Sequence, residues 1–203
     1  LITNQIQGRK LSYNNILDID AAINCLHEFK EPTCIIVKHN NPCGAASNLT
    51  INTAYDKALK ADPVSSFGGI VALNRPVDEP LAKNISKKFE EIIIANNFDK
   101  KALEVFKKKK RLILIKFNKS RLDQMYEIKS INGGYLKQEK NLTKIDKRLL
   151  VQASNYKSKL SQLDDLIFAL KICKHVKSNA IVLCKNKKTI GIGAGQMSRI
   201  DAC

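Results

Sequence analysis

The chain has 203 residues, enough for one large or two small domains, and its 44% hydrophobic content can fill a substantial core. It has no apolar run long enough to span a bilayer and no N-terminal signal segment, so we expect no membrane association and a cytoplasmic location. Its six cysteines include no C-x-x-C pair, which argues against zinc and thioredoxin-like sites and suits a reducing cytoplasm.

The net charge of +16 has three possible origins: nucleic-acid binding, attraction of an anionic substrate, or drift toward Lys, Asn and Ile in an AT-rich genome. We favour drift, because lysines occur in every segment. The basic run at 107–111 ends a predicted helix, where cations are favourable, and is interpreted as a solvated cap. Aromatic residues make up only 6% and do not alternate with basic ones, so base stacking has little support.

Helices and short apolar strands alternate over the first 115 residues. Residues 11–15 are predicted to be a loop or short strand, and Asp20 to cap a helix over 21–29. Further helices are predicted over 52–61, over 80–89 with Pro80 in the first turn, and from the Asp99 cap to about 109. Strands are predicted at 34–37, 70–73, 92–95 and 112–115. This alternation favours a layered α/β domain with a largely parallel or mixed sheet.

The pattern is weaker after residue 115. A Gly pair interrupts a strand-like run at 131–136, and 137–155 is interpreted as an exposed connection. Ser161 is predicted to cap a helix ending near 175, with a buried stripe of Leu163, Leu166, Ile167 and Leu170. A hairpin follows, with strands at 180–184 and 189–192, and Ser198 is expected to open another helix.

These elements predict a first lobe with a connecting segment over 1–155 and the start of a second lobe over 156–203. The sheet of that second lobe would be half built, and the chain begins with Leu1. We therefore expect a piece of a longer protein.

The Lys38-His39 pair is the leading candidate for chemistry. It follows the buried strand at 34–37, where the carboxyl ends of strands in an open α/β sheet commonly bind ligands. Successive strand residues point to opposite faces, so the two side chains share a pocket only if the backbone leaves strand geometry. The Asn40-Asn41-Pro42 sequence is expected to provide that turn. Alone, such a pair is more often ordinary surface charge.

Four segments in order resemble the AICAR transformylase family, whose bifunctional members also carry an IMP cyclohydrolase domain. They are Lys-His-Asn-Asn-Pro-Cys-Gly-Ala at 38–45, Asp-Pro-Val-Ser-Ser-Phe-Gly-Gly at 62–69, Lys-Ser-Asn-Ala-Ile-Val at 177–182, and Gly-Ile-Gly-Ala-Gly-Gln-Met-Ser-Arg at 191–199. The resemblance implies cytidine-deaminase-like α/β/α lobes and a homodimer with shared active sites. It also implies metal-free formyl transfer from the co-substrate 10-formyltetrahydrofolate to AICAR, with the cyclohydrolase domain outside this chain.

The same resemblance implies roles for individual residues. His39 would be the general base and Lys38 would stabilise the oxyanion or assist the leaving group, with Asn179 as the third catalytic residue. Gly68, Glu91 and Arg199 match AICAR-binding positions, and folate-binding positions are matched by Val64, Ser65, Phe67 and Ile200. Asn96 stands where the family commonly has Pro, and Asn141 where an acidic residue is expected.

Three alternatives compete with formyl transfer. Zinc deamination is disfavoured, because neither the H-x-E nor the P-C-x-x-C signature is present around His39 and Cys43. A basic nucleic-acid-binding module would bind with a steep salt dependence and without need of His39. A decayed, inactive fragment would retain the motifs without turnover.

Overall fold

A computed structural model describes residues 3–118 and 126–203 of the chain. Its strands are β1 (Thr3–Gln7), β2 (Thr33–Lys38), β3 (Asn41–Ser47), β4 (Ile70–Leu73), β5 (Ile92–Ala95), β6 (Ile113–Phe117), β7 (Tyr126–Ile131), β8 (Gly134–Glu139), β9 (Ile181–Lys185) and β10 (Lys188–Gly193). Its α-helices are α1 (Tyr13–Leu26), α2 (Ile51–Leu59), α3 (Glu79–Ile85), α4 (Lys100–Lys107), α5 (Leu160–Cys173) and α6 (Arg199–Ala202). None of these helices is long and apolar enough to cross a membrane.

Eight strands form one mixed sheet in the order β1-β6-β5-β4-β2-β3-β10-β9, while β7 and β8 pair separately. β4, β5 and β6 are parallel, and every other neighbouring pair is antiparallel. Both faces are covered: α2, α3 and α4 pack on one, and α1 and α5 on the other. The predicted α/β class with a mixed sheet is confirmed, and the central strands are fully buried because helices cover both sides.

The predicted start of the first helix was wrong. α1 begins at Tyr13 because Ser12 forms a capping box with Asn15: the Asn15 N–H donates to Ser12 Oγ, and the Ser12 N–H donates to Asn15 Oδ1. Asp20 lies inside the helix, where its carboxylate accepts a hydrogen bond from Asn24 Nδ2 at 2.9 Å. The helix therefore starts eight residues earlier than predicted, at 13 instead of 21.

Two predictions in the later half also need correction. The Gly pair at 133–134 is not inside one strand, because the turn at Asn132-Gly133, with Gly133 at φ +82°, separates β7 from β8. The buried residues of α5 are Phe168 and Ile172, whereas Leu166 and Leu170 of the predicted stripe are exposed. Periodicity identified the helix, but not which of its apolar sides meets the sheet.

The sheet is continuous across residue 155, the predicted lobe boundary. β10 pairs with β3, where Lys188 lies opposite Ala46 and the Thr189 hydroxyl accepts a hydrogen bond from the Ala45 N–H at 2.9 Å. The residue Lys174, at the end of α5, donates to Glu28 Oε1 at 2.7 Å. Elements on both sides of residue 155 thus share one sheet, and the division into two lobes stays a prediction.

Gly44, within the Pro-Cys-Gly motif, is required for close packing. A Cβ at this position would overlap the carbonyl oxygen of Ala58 in α2 and lie 3.1 Å from its carbonyl carbon. We expect Gly44→Ala to lower the free energy of unfolding by about 2 kcal/mol, because backbone must move away from backbone.

Denaturant unfolding of the natural protein checks this expectation. Gly134→Ala is the matched control, because a Cβ there would meet no atom within 4 Å. If both variants unfold at the wild-type denaturant concentration, the proposed role of Gly44 is wrong.

Candidate active site

The predicted site residues lie in loops, or at the end of a strand or the start of a helix, at one end of the sheet, called here the site end. They comprise Lys38, His39, Val64, Ser65, Phe67, Gly68, Glu91, Asn179, Arg199 and Ile200. Strand pairing brings the loops together: Val37 at the end of β2 lies opposite Ile70 at the start of β4, and Ile70 lies beside Ile92 at the start of β5.

This arrangement corrects the expected position of the site. The rule of ligands at carboxyl ends applies to parallel strands. β2 runs antiparallel to β4, so its carboxyl end meets the amino ends of the parallel strands β4, β5 and β6. Lys38 does end a strand, as predicted, but Gly68 and Glu91 precede theirs.

The backbone leaves strand geometry after Lys38, at a two-residue hairpin turn formed by His39 and Asn40. His39 and Asn40 have φ values of +52° and +62°, the pattern of a type I′ turn between Lys38 and Asn41. The turn is therefore one residue earlier than predicted, and Asn41 and Pro42 belong to β3. Asn tolerates the left-handed region well, which suits position 40. The turn leaves His39 exposed to solvent.

The Lys38 ammonium is fixed against the neighbouring loop. Its Nζ donates to the carbonyl oxygen of Phe67 at 2.9 Å. In the same loop, Asp62 Oδ1 accepts hydrogen bonds from the Val64 N–H at 3.1 Å and the Ser65 N–H at 2.8 Å. Partial burial acts to raise the pKa of Asp62, but these bonds and the Lys38 charge hold it below its ordinary value.

The loop presents both a close backbone approach and an apolar surface. Gly68 has φ +69°, a conformation that favours glycine, and its N–H donates to the Phe89 carbonyl at 2.9 Å. Val64 and Phe67 are 83% and 63% exposed, and the Phe67 and Phe89 rings lie 5.3 Å apart. Exposed apolar side chains beside a fixed ammonium provide a surface for a flat, partly apolar ligand.

Glu91 is a carboxylate at the site end that is tied to both the N-terminal segment and the glycine loop. Its Oε1 forms an ion pair with the Arg9 guanidinium and accepts a hydrogen bond from Asn15 Nδ2 at 3.1 Å. The Glu91 N–H donates to the Gly69 carbonyl at 3.1 Å, which ties it to the glycine loop. Sequence reasoning missed Arg9 and Asn15. Only the capping pattern Ser12-x-x-Asn15 would have pointed to α1 beginning here.

Asn179 joins the hairpin turn through a short chain of contacts. Asn41 Oδ1 accepts a hydrogen bond from the Lys177 N–H at 3.0 Å, which brings the 177–179 segment beside the turn. Asn179 Nδ2 donates to the Gln196 and Met197 carbonyls at 3.1 and 3.2 Å, so it also holds the loop after β10.

Arg199 and Ile200 start α6 at the site end, and Ile200 is 85% exposed. Within residues 3–118 and 126–203, no carboxylate pairs with the Arg199 guanidinium. The structure therefore brings Lys38, Gly68 and Glu91 into one connected network, joins Asn179 to the hairpin through Asn41, and leaves Arg199 and Ile200 at its margin.

Cys43 has no features of a reactive thiol. Burial raises its pKa to about 11, although a contact with Ser66 acts in the other direction. In the described part of the chain, no group of three His, Cys, Asp or Glu side chains is arranged to hold a metal ion.

Residues 2–203 match the model of the AICARFT/IMPCHase bienzyme family. The chain is 52% identical over 199 residues to the bifunctional purine biosynthesis protein PurH of Caldicellulosiruptor bescii, covering 98% of this chain and 39% of that protein. PurH proteins of Caldicellulosiruptor saccharolyticus and a Thermoanaerobacter species are 50% and 48% identical, with 98% and 97% of this chain covered. The chain thus spans 38–39% of the length of these relatives.

Proposed function

Because the chain belongs to the AICARFT/IMPCHase bienzyme family, we propose that its protein transfers a formyl group from 10-formyltetrahydrofolate to the 5-amino group of AICAR. The observation that carries this proposal is a network of hydrogen bonds. Lys38, next to the turn that bears His39, donates to the Phe67 carbonyl in the Gly68 loop, and the Glu91 N–H donates to the Gly69 carbonyl in the same loop. The network offers a proton acceptor, a cationic donor and a carboxylate at one end of the sheet.

The AICAR amine is a weak nucleophile, because its lone pair is delocalised into the ring and carboxamide. His39 accepts a proton from that amine as the nitrogen bonds to the formyl carbon. The tetrahedral intermediate then expels the folate nitrogen, which leaves with a proton, as its bond to carbon breaks. Lys38 Nζ, already bonded to Phe67, has donors remaining for the developing oxyanion or the leaving nitrogen.

Further roles follow the same proposal. AICAR is held by Gly68, Glu91 and Arg199, folate lies on Val64, Ser65, Phe67 and Ile200, and Asn179 contacts the reacting region. The exposed apolar surface of Val64, Phe67 and Ile200 supports the folate assignment. We also propose a metal-free reaction and a cytoplasmic homodimer with shared sites. IMP cyclohydrolase activity would lie outside this chain.

Nucleic-acid binding has less support than formyl transfer. In the basic run that begins at the end of α4, Lys107 pairs with Glu104 on the same helix, and Lys109 Nζ donates to the Lys88 carbonyl at 3.1 Å. These contacts fit the solvated helix cap expected from the sequence.

A formyl-transfer assay on the full natural chain tests the proposal. We expect AICAR- and folate-dependent product formation that a metal chelator does not reduce. Glu91→Gln should raise the KM for AICAR by about 10-fold, which corresponds to about 1.4 kcal/mol of binding free energy. The reason is that the substitution weakens a hydrogen bond between the carboxylate and the substrate. Glu104→Gln, at an exposed position of α4, is the control. Absence of product with wild-type protein would overturn the proposed function.

A further inference from the structure

Two side chains of α1 reach two different loops of the site end. Asn15 is buried, and its Nδ2 donates to Glu91 Oε1 at 3.1 Å. One helical turn later, Asp18 Oδ1 accepts a hydrogen bond from the backbone N–H of Asn40 at 2.7 Å. Residues three apart share one face of a helix, so α1 contacts the substrate-side carboxylate and the His39 turn together.

The His39-Asn40 turn has two restraints besides Asp18: Asn41 Nδ2 donates to the His39 carbonyl at 3.2 Å, and Lys38 pairs with Asn41 across the hairpin. Both residues are in the left-handed region, which is uncommon for non-glycine residues, although Asn and His adopt it more readily than most. Hydrogen bonds to a carboxylate are among the stronger ones in proteins. The Asn40 side chain adds to this anchor, because with its amide nitrogen turned toward α1 it donates to the Leu17 carbonyl and to Asp18 Oδ1, both at 3.2 Å.

We propose that Asp18 is a positioning residue: its carboxylate anchors the Asn40 N–H and so fixes the His39 imidazole relative to the Gly68 loop and Glu91. This inference rests on the proposed formyl transfer. Asp18 itself does not touch a reacting atom. Its contribution is orientation, and small displacements of a catalytic group lower turnover strongly.

Kinetics of Asp18→Ala in the full natural chain test the proposal. We expect kcat to fall by about 10-fold while the KM for AICAR changes less than about 2-fold, since Asn15 and Arg9 still hold Glu91. Asp20→Ala is the matched control: it removes a carboxylate from the same helix, but one whose hydrogen bond is to Asn24. Equal kcat values for Asp18→Ala and Asp20→Ala would overturn the proposal.

A second readout does not depend on turnover. In ¹⁵N NMR spectra, the Asn40 amide proton should exchange faster with solvent in Asp18→Ala than in wild type, and unchanged exchange would refute the anchor even if kcat falls. If Asp18→Ala does not fold, Asp18→Asn is measured instead. This variant keeps the side-chain volume and one hydrogen-bond acceptor but loses the negative charge. The kcat should then fall about 3-fold, and the resonance of the Asn40 amide proton should shift upfield. No change in either would overturn the proposal. A wild-type protein with normal Asn40 protection and no formyl transfer would refute the function but not the anchor.

Discussion

Replacing His39 with asparagine is expected to lower kcat for formyl transfer by about 10²- to 10³-fold, the usual loss on removing a general base. Asparagine suits this test, because it tolerates the left-handed backbone that His39 adopts at φ +52°. The turn should therefore persist while the proton acceptor is removed. Steady-state formyl transfer by the full natural chain is the measurement.

Lys187→Asn is the control for the turn itself. Lys187 is at φ +52° in the turn between β9 and β10, so the substitution makes the same backbone demand in another hairpin. We expect Lys187→Asn to have the wild-type kcat. Because His39 is exposed, added imidazole should partly restore turnover to His39→Gly. Near-wild-type kcat in His39→Asn would remove His39 as the base, although the family assignment would stand.

The second large effect concerns stability and involves Glu90, which sequence reasoning did not single out. Its side chain is 4% exposed, its Oε1 accepts a hydrogen bond from the Tyr55 hydroxyl at 3.4 Å, and its Oε2 has no hydrogen-bond partner among the described residues. Burial raises the pKa of Glu90 to about 7; Tyr55, Lys88 and Lys109 act in the other direction without compensating.

A pKa raised on folding means that the folded state binds the proton more tightly. The stabilisation of the folded state by protonated Glu90 is fully present below about pH 4.5, declines as the pH rises, and is lost above about pH 7. The shift corresponds to about 3 kcal/mol. Glu90→Gln should therefore be more stable than wild type by up to about 3 kcal/mol at pH 8, and should lack this decline.

Denaturant unfolding between pH 5 and 8 distinguishes the two proteins. Glu104→Gln is the control, because Glu104 is exposed and, within the part of the chain that the structure describes, pairs only with Lys107. Burial acts to raise the pKa of Glu28, but His175 and Lys174 together lower it to about 2, so the contribution of Glu28 to stability changes below this pH window. The prediction would be contradicted if the wild-type protein had the same free energy of unfolding at pH 8 as at pH 5 and if Glu90→Gln were no more stable than wild type at pH 8.

Short-range chemistry in the sequence determined much of the fold. The runs at 70–73 and 92–95 are strands with the predicted ends, because consecutive β-branched and apolar residues suit a strand buried on both faces. Asp99 and Ser198 precede helices as predicted. The four sequence motifs, taken in their order along the chain, also identified the family, because residue types and order can be seen without knowing the fold.

Other features were decided only by tertiary structure. The direction of β2 against β4 places the site at the amino ends of the parallel strands, and no local pattern encodes strand direction. The side of α5 that is buried depends on which surface the sheet offers. The roles of Asn15, Asp18 and Glu90 arise from contacts with residues 76, 22 and 35 positions away. Periodicity and capping rules describe neighbours along the chain, whereas these contacts exist only once the sheet has assembled.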